Sequence, residues 1–167
     1  MIIYHPRNDL YHCIYRFINI LNKVKLEKFE FIRLRIYDFY LLFPHFSKEI
    51  EFPRLKGVAA LKNRASMIEA PYESLPDKKR LFSEMGDFHI QALQILVAKN
   101  ILHENNGIIS LAPSFYSSAI KSLLDESNNN DYEFFLELVS ILNQVSVFGE
   151  SGLKKRTGLM EYRYDAL

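Results

Sequence analysis

Between Asp77 and Pro113 the chain sets out an order of elements that few folds accept. Asp77 is placed to cap a short helix carrying Leu81, Phe82 and Met85, and Met85-Gly86-Asp87 reads as the turn that follows. Phe88 to Asn100 then has the apolar content of a helix, with Asp87 as its cap. Ile101 to Glu104 and Ile108 to Leu111 read as two short strands around Asn105-Asn106-Gly107. An Asn-Gly pair favours a tight hairpin because both residues accept positive φ. Helix, turn, helix and hairpin is the order of a winged helix-turn-helix, and the helix of residues 32–43 would supply its first helix. The expected fold is therefore mainly α. It has a winged helix-turn-helix core with a short β-hairpin wing, flanking N- and C-terminal helices and a C-terminal tail.

The flanking segments follow from periodicity. Residues 9–23 make an amphipathic helix that Asp9 can cap, with Leu10, Cys13, Ile14, Phe17, Ile20 and Leu21 on one face. Tyr11, Tyr15 and Ile18 form a second stripe. Two readings of that stripe stand: it packs inside the same domain, or it is a partner contact. Residues 27–43 are the most apolar part of the chain, with Phe29, Ile32, Ile36, Phe39 and Phe43 on one face and Leu34, Tyr37 and Leu41 on another. Such a helix is central. Arg35 and Asp38, three residues apart, are placed to pair on what surface remains. Pro44 ends the run, 45–53 connects, 54–69 is a further helix and 70–76 a loop. Residues 114–125 are helical, and Asp131 caps a last helix carrying Phe135, Leu138 and Leu142. From Gly149 the chain becomes glycine-containing and basic. The expected division is a single domain over 1–148 and a basic, aromatic tail over 149–167.

Bulk properties narrow the function. Hydrophobic residues make up 49% and charged residues 25%, the balance of a packed globule rather than a disordered chain. A formal net charge of +1 is too small for a dedicated nucleic-acid binder, so any basic patch is local. The single cysteine, Cys13, has no partner for an internal disulfide and suits a reducing compartment. With neither a signal peptide nor a stretch of the roughly 20 apolar residues that span a bilayer, the expected location is the cytoplasm and no membrane is expected as a partner.

Chemistry is hard to place on this sequence. No histidine pairs with a second His or Cys at helical ligand spacing. Gly149-Glu150-Ser151-Gly152 is not a hydrolase elbow, and the Gly152–Gly158 stretch lacks the Gly-Lys-Ser/Thr ending of a phosphate loop. No catalytic residue, metal or cofactor is expected, and the chain reads as a non-enzyme. The helix that would read DNA offers Asp87, Gln91, Gln94 and Ala98 as its most polar stripe, with no Arg or Lys before Lys99. Base reading leans on Arg, Lys, Asn and Gln, so only the two glutamines qualify. Two basic clusters remain. Lys78, Lys79 and Arg80 read as solvated charge. Lys154, Lys155 and Arg156, joined by Arg163, could touch a phosphate backbone without reading sequence, or dock on an acidic partner. Met160, Tyr162 and Tyr164 alternate with charged residues as in a strand, which would add to a partner's sheet edge or to this chain's own.

Several strings carry a family resemblance: Met1-Ile2-Ile3-Tyr4-His5-Pro6, Arg33 to Pro44, Pro71-Tyr72-Glu73-Ser74-Leu75-Pro76, Arg80 to Met85, and Thr157 to Asp165. Together they resemble the middle component of bacterial ABC three-component systems, which include Lamassu-type defence operons. The resemblance spans nearly the whole chain. It implies an adaptor that binds an SMC- or Rad50-like ABC ATPase and an effector, often a nuclease, and helps restrain the effector until foreign DNA is sensed. It implies no catalytic residue. The contrasting expectation is a winged-helix DNA-binding transcriptional regulator, which would read through Gln91 and Gln94.

Overall fold

The structure is a computed structural model that describes residues 6–125 and 132–161. The chain is mainly helical, with one small antiparallel sheet. After a 3-10 turn at Pro6–Asn8 comes α1 (Leu10–Val24). Asp9 keeps extended backbone and its carboxylate accepts the His12 N–H at 2.8 Å, which satisfies one orphan donor of the first turn. The helix stops where Lys25 turns left-handed and donates its N–H to the Leu21 carbonyl. Then follow β1 (Lys28–Glu30), α2 (Phe31–Leu42), a 3-10 helix (Pro44–Glu49) and α3 (Val58–Ser66). Next are α4 (Lys78–Glu84), α5 (Gly86–Ala98), β2 (Leu102–Asn105), β3 (Ile108–Leu111) and a 3-10 helix (Pro113–Tyr116). The last elements are α6 (Ser118–Asp125), α7 (Glu133–Leu142) and α8 (Leu153–Thr157). No helix among the described residues is long and apolar enough to cross a membrane.

The chain divides into two compact units. One combines the described residues up to Asp38 with those from Glu84 to Asp125. The other combines Phe39–Ser83 with the described residues from Tyr132 onward.

In the first unit α1 packs on α5, and the sheet runs in the order β1-β3-β2. The hairpin is as the Asn-Gly pair predicts: Asn106 and Gly107 take φ of 51° and 78°, and β2 pairs with β3 from Leu102↔Leu111 to Asn105↔Ile108. Glu104 closes the turn by accepting the Gly107 N–H at 2.7 Å. β1 corrects the sequence reading, in which residues 27–43 form one helix. Lys28, Phe29 and Glu30 instead pair with Ser110, Ile109 and Ile108, with Phe29 buried between two less buried neighbours. The partner strand lies some 80 residues away, so local periodicity carries no sign of it. Asp87 does not cap α5 either; the helix starts at Gly86, two residues before the expected Phe88, and Asp87 sits in its first turn.

The second unit is built on aromatic packing. The Phe39 ring lies 5.2 Å from Phe43, 5.7 Å from Phe46 and 6.0 Å from Phe82. α3 packs on α7, where Arg64 bonds Glu137. Residues 45–53, expected as a connector, open with the 3-10 helix that Pro44 starts. The stretch from Gly149, expected as a loose tail, is folded through its described part. Leu153, Thr157 and Leu159 are buried, and α8 ends at Gly158 in the left-handed region. Gly152 is required here, because a Cβ would collide with the Phe148 carbonyl.

Candidate functional site

Three elements of the first unit bring ionisable groups to one buried point. Arg16 lies on α1, Asp38 on α2 and His89 on α5. The Arg16 guanidinium grips the Asp38 carboxylate with both arms, Nε to Oδ1 at 2.6 Å and Nη2 to Oδ2 at 2.9 Å. Its Nη1 also donates to the Pro6 carbonyl at 3.1 Å. His89 Nε2 reaches Asp38 Oδ2 at 3.0 Å, and Arg35 Nε donates to His89 Nδ1 at 3.3 Å. Because Nδ1 accepts, the ring proton sits on Nε2 and points at Asp38. Phe17 stacks on the imidazole with centroids 5.5 Å apart. Asp38 and His89 are fully buried.

The charge states follow from these contacts. Burial alone would raise the Asp38 pKa, but the bonds from His89 and Arg16 hold it below the ordinary carboxylate value. Burial pushes His89 below its ordinary value, and the nearby Arg35 and Arg16 cations add to that against the pull of Asp38. The site is thus a carboxylate held by a guanidinium and a neutral imidazole. Cys13 lies beside it: its sulfur, a carboxylate oxygen of Asp38 and a ring nitrogen of His89 all fall within 4.8 Å of one another. Burial first, and Asp38 second, push that thiol up to about 12, so it stays protonated.

This donor set does not fit a metal ion. A cation would have to displace Arg16 from both carboxylate oxygens, and it would face Arg35 as well. A thiol that resists deprotonation is a poor ligand. Nor is Cys13 a nucleophile, since the thiolate is the reactive form. The cluster is instead a lock joining α1, α2 and α5, and it fixes the helix that the sequence marks as the reading helix. The periodicity of residues 27–43 predicts Asp38 at the surface beside Arg35, and no His or Cys stands at helical ligand spacing from His89, so the sequence pattern does not bring the two together. The signal was present in Arg16, which falls at helical spacing between Cys13 and Ile20 on the apolar face of α1.

What α5 then presents outward is largely uncharged. Ile90 is 47% exposed and Val97 39%, while Gln91, Gln94 and Ala98 are exposed beside them. Asp87 stands at one end of this stripe and Lys99 just past the other.

The other sequence candidates fall in varied places. Tyr11 is 82% exposed on α1 and Tyr15 half-buried, whereas Ile18 is buried in the core of this chain. Lys154, Lys155 and Arg156 are half-buried on α8. Arg156 is committed internally: it donates to the carbonyls of Ser151 at 2.6 Å and Glu51 at 2.8 Å, and its own carbonyl accepts the Glu51 N–H at 2.9 Å. Lys154 holds its ammonium 5.5 Å from the centre of the Phe148 ring. Met160 is half-buried, and Tyr162, Arg163 and Tyr164 lie outside the described residues.

No curated protein and no solved structure matches the chain significantly. A family model does, over residues 2–165: the ABC-three component (ABC-3C) system Middle Component 5. That span takes in both units, the buried lock and the outward stripe of α5. A middle component works with the other subunits of its system. The chain therefore belongs to the ABC-three component system Middle Component 5 family.

Proposed function

We propose that this chain is the non-catalytic adaptor of a prokaryotic antiphage and antiplasmid defence complex of the Lamassu type. It bridges an SMC- or Rad50-like ABC ATPase and an effector nuclease in the cytoplasm, and it helps keep the effector restrained. The observation that carries this reading is the outward face of α5. The first unit supports a winged-helix reading, with the β2-β3 hairpin following α5 and β1 adding to β3 as the third strand. The helix that would then enter a DNA groove shows Ile90, Gln91, Gln94, Val97 and Ala98 and no cation. Such a face suits a protein neighbour: desolvating it is favourable, and it offers no charge to neutralise phosphates.

Co-expression of the chain with its two companion components tests this. Affinity purification is expected to yield all three. Ile90→Asp or Val97→Asp is expected to release at least one companion without unfolding the chain, since both side chains are well exposed. A DNA-binding transcriptional regulator would behave otherwise. It would bind one duplex sequence with steep salt dependence and lose that binding on Gln91→Ala with Gln94→Ala.

A further inference from the structure

The first unit carries a second surface, where the end of α1 meets Leu111 of β3, the 3-10 helix of Pro113–Tyr116 and α6. Two adjoining hollows open there, of about 260 and 280 Å³. They share Asn22, Phe115 and Tyr116 as walls. Each exceeds the roughly 150 Å³ that holds a benzene ring, so each admits one large apolar side chain. Tyr116 stands between them 69% exposed, although its neighbour Phe115 is buried. The 3-10 helix of Pro113–Tyr116 fixes this arrangement. Ser117 returns to extended backbone, so Tyr116 is held at the end of a short rigid turn and not on α6.

Each hollow carries one lysine at its wall. Among the described residues that line them, Lys25 stands at the first hollow and Lys121 at the second, both exposed, and Glu27 is the one acid. Lys25 holds the left-handed position that ends α1, which fixes where its side chain leaves the backbone. An exposed tyrosine between two apolar hollows, flanked by lysines, has the make-up of a binding hot spot.

We propose that this groove docks a segment of one companion subunit, and that the segment presents two neighbouring apolar anchors flanked by carboxylates. The inference rests on the adaptor reading and extends it. An adaptor that bridges two proteins needs two contact surfaces, and this one is distinct from the outward face of α5. The apolar anchors would fill the hollows on either side of Tyr116. The carboxylates would meet Lys25 and Lys121, steering the encounter and excluding basic segments.

The test uses the three-component complex with p-benzoylphenylalanine placed at position 116. Irradiation is expected to join this residue to one companion subunit, on a segment with two apolar residues among acids. Tyr116→Ala is expected to weaken the affinity for that companion by about tenfold or more. Lys25→Glu with Lys121→Glu is expected to weaken it more at low salt than at high. Because Tyr116 is exposed, the variant should keep its thermal midpoint, and the same probe at the exposed Tyr72 serves as a surface control. Crosslinking to a second copy of this chain, to nucleic acid, or to nothing while the complex still assembles would overturn the proposal. So would an unchanged affinity in Tyr116→Ala. If the complex never assembles, the adaptor reading itself fails and this inference falls with it.

Discussion

Arg16 and Asp38 face each other through two hydrogen bonds, 2.6 and 2.9 Å long, at a point where Asp38 has no exposed surface. A bidentate pair of this kind is strong in geometry, yet its net value depends on desolvation, which both ions have already suffered. Losing one partner is therefore worse than losing both. Arg16→Met or Asp38→Leu alone is expected to cost about 3–5 kcal/mol, because each strands a buried charge. The double variant is expected to cost clearly less than the sum. Urea denaturation of the four proteins of this cycle measures the coupling, and strict additivity would show that the pair does not act as a unit.

Acid should loosen the same lock. His89 is neutral in the fold and its pKa lies below the ordinary 6.5, so only the unfolded chain gains that proton as pH falls past 6.5. Stability is therefore fully present above that value and declines as pH drops toward the folded pKa. Asp38, also depressed, adds a second loss below its ordinary 3.8. The urea midpoint is expected to fall between pH 7.5 and 5.5, and His89→Gln is expected to flatten that slope. An identical slope in the variant would place the titrating group elsewhere.

Cys13 should be chemically silent in the folded chain. Its thiol is buried and pushed up to about 12. At pH 8 a thiol reagent such as Ellman's is expected to react only at the rate of unfolding, and fully in 6 M guanidinium. Fast labelling under native conditions would contradict the burial of α1 against α5.

On α8, Arg156 is expected to matter for stability rather than for anion binding. It fastens α8 to Glu51 through a carbonyl on each side, so Arg156→Ala should cost about 1–2 kcal/mol. Lys79→Ala, on an exposed part of α4, should change stability by less than about 0.5 kcal/mol. Thermal unfolding separates the two. Equal effects would mean that the bonds from Arg156 to Ser151 and Glu51 do not hold the 149–161 region in place.

What the sequence made legible was local. The Asp9 cap, the Asp77 cap and the Asn106-Gly107 turn depend on a few adjacent residues, and each forms as expected. What it concealed was long-range. β1 becomes a strand only because β3 pairs with it, and His89 meets Asp38 across 51 positions of sequence. The fold of residues 153–157 was hidden for a related reason: a run of Lys and Arg looks solvated until Leu153 and Leu159, on either side, are seen to be buried. The groove around Tyr116 left no periodic trace, since its walls come from α1, β3 and the 3-10 helix before α6.

On the adaptor proposal, the chain works by holding other proteins. The most direct measurement is the mass of the species it forms when co-expressed and purified with its two companion components, read by size-exclusion chromatography with light scattering. One species containing all three chains is expected, and Ile90→Asp is expected to impair its formation. A chain that elutes apart from both companions and binds one duplex DNA sequence through Gln91 and Gln94 would contradict it.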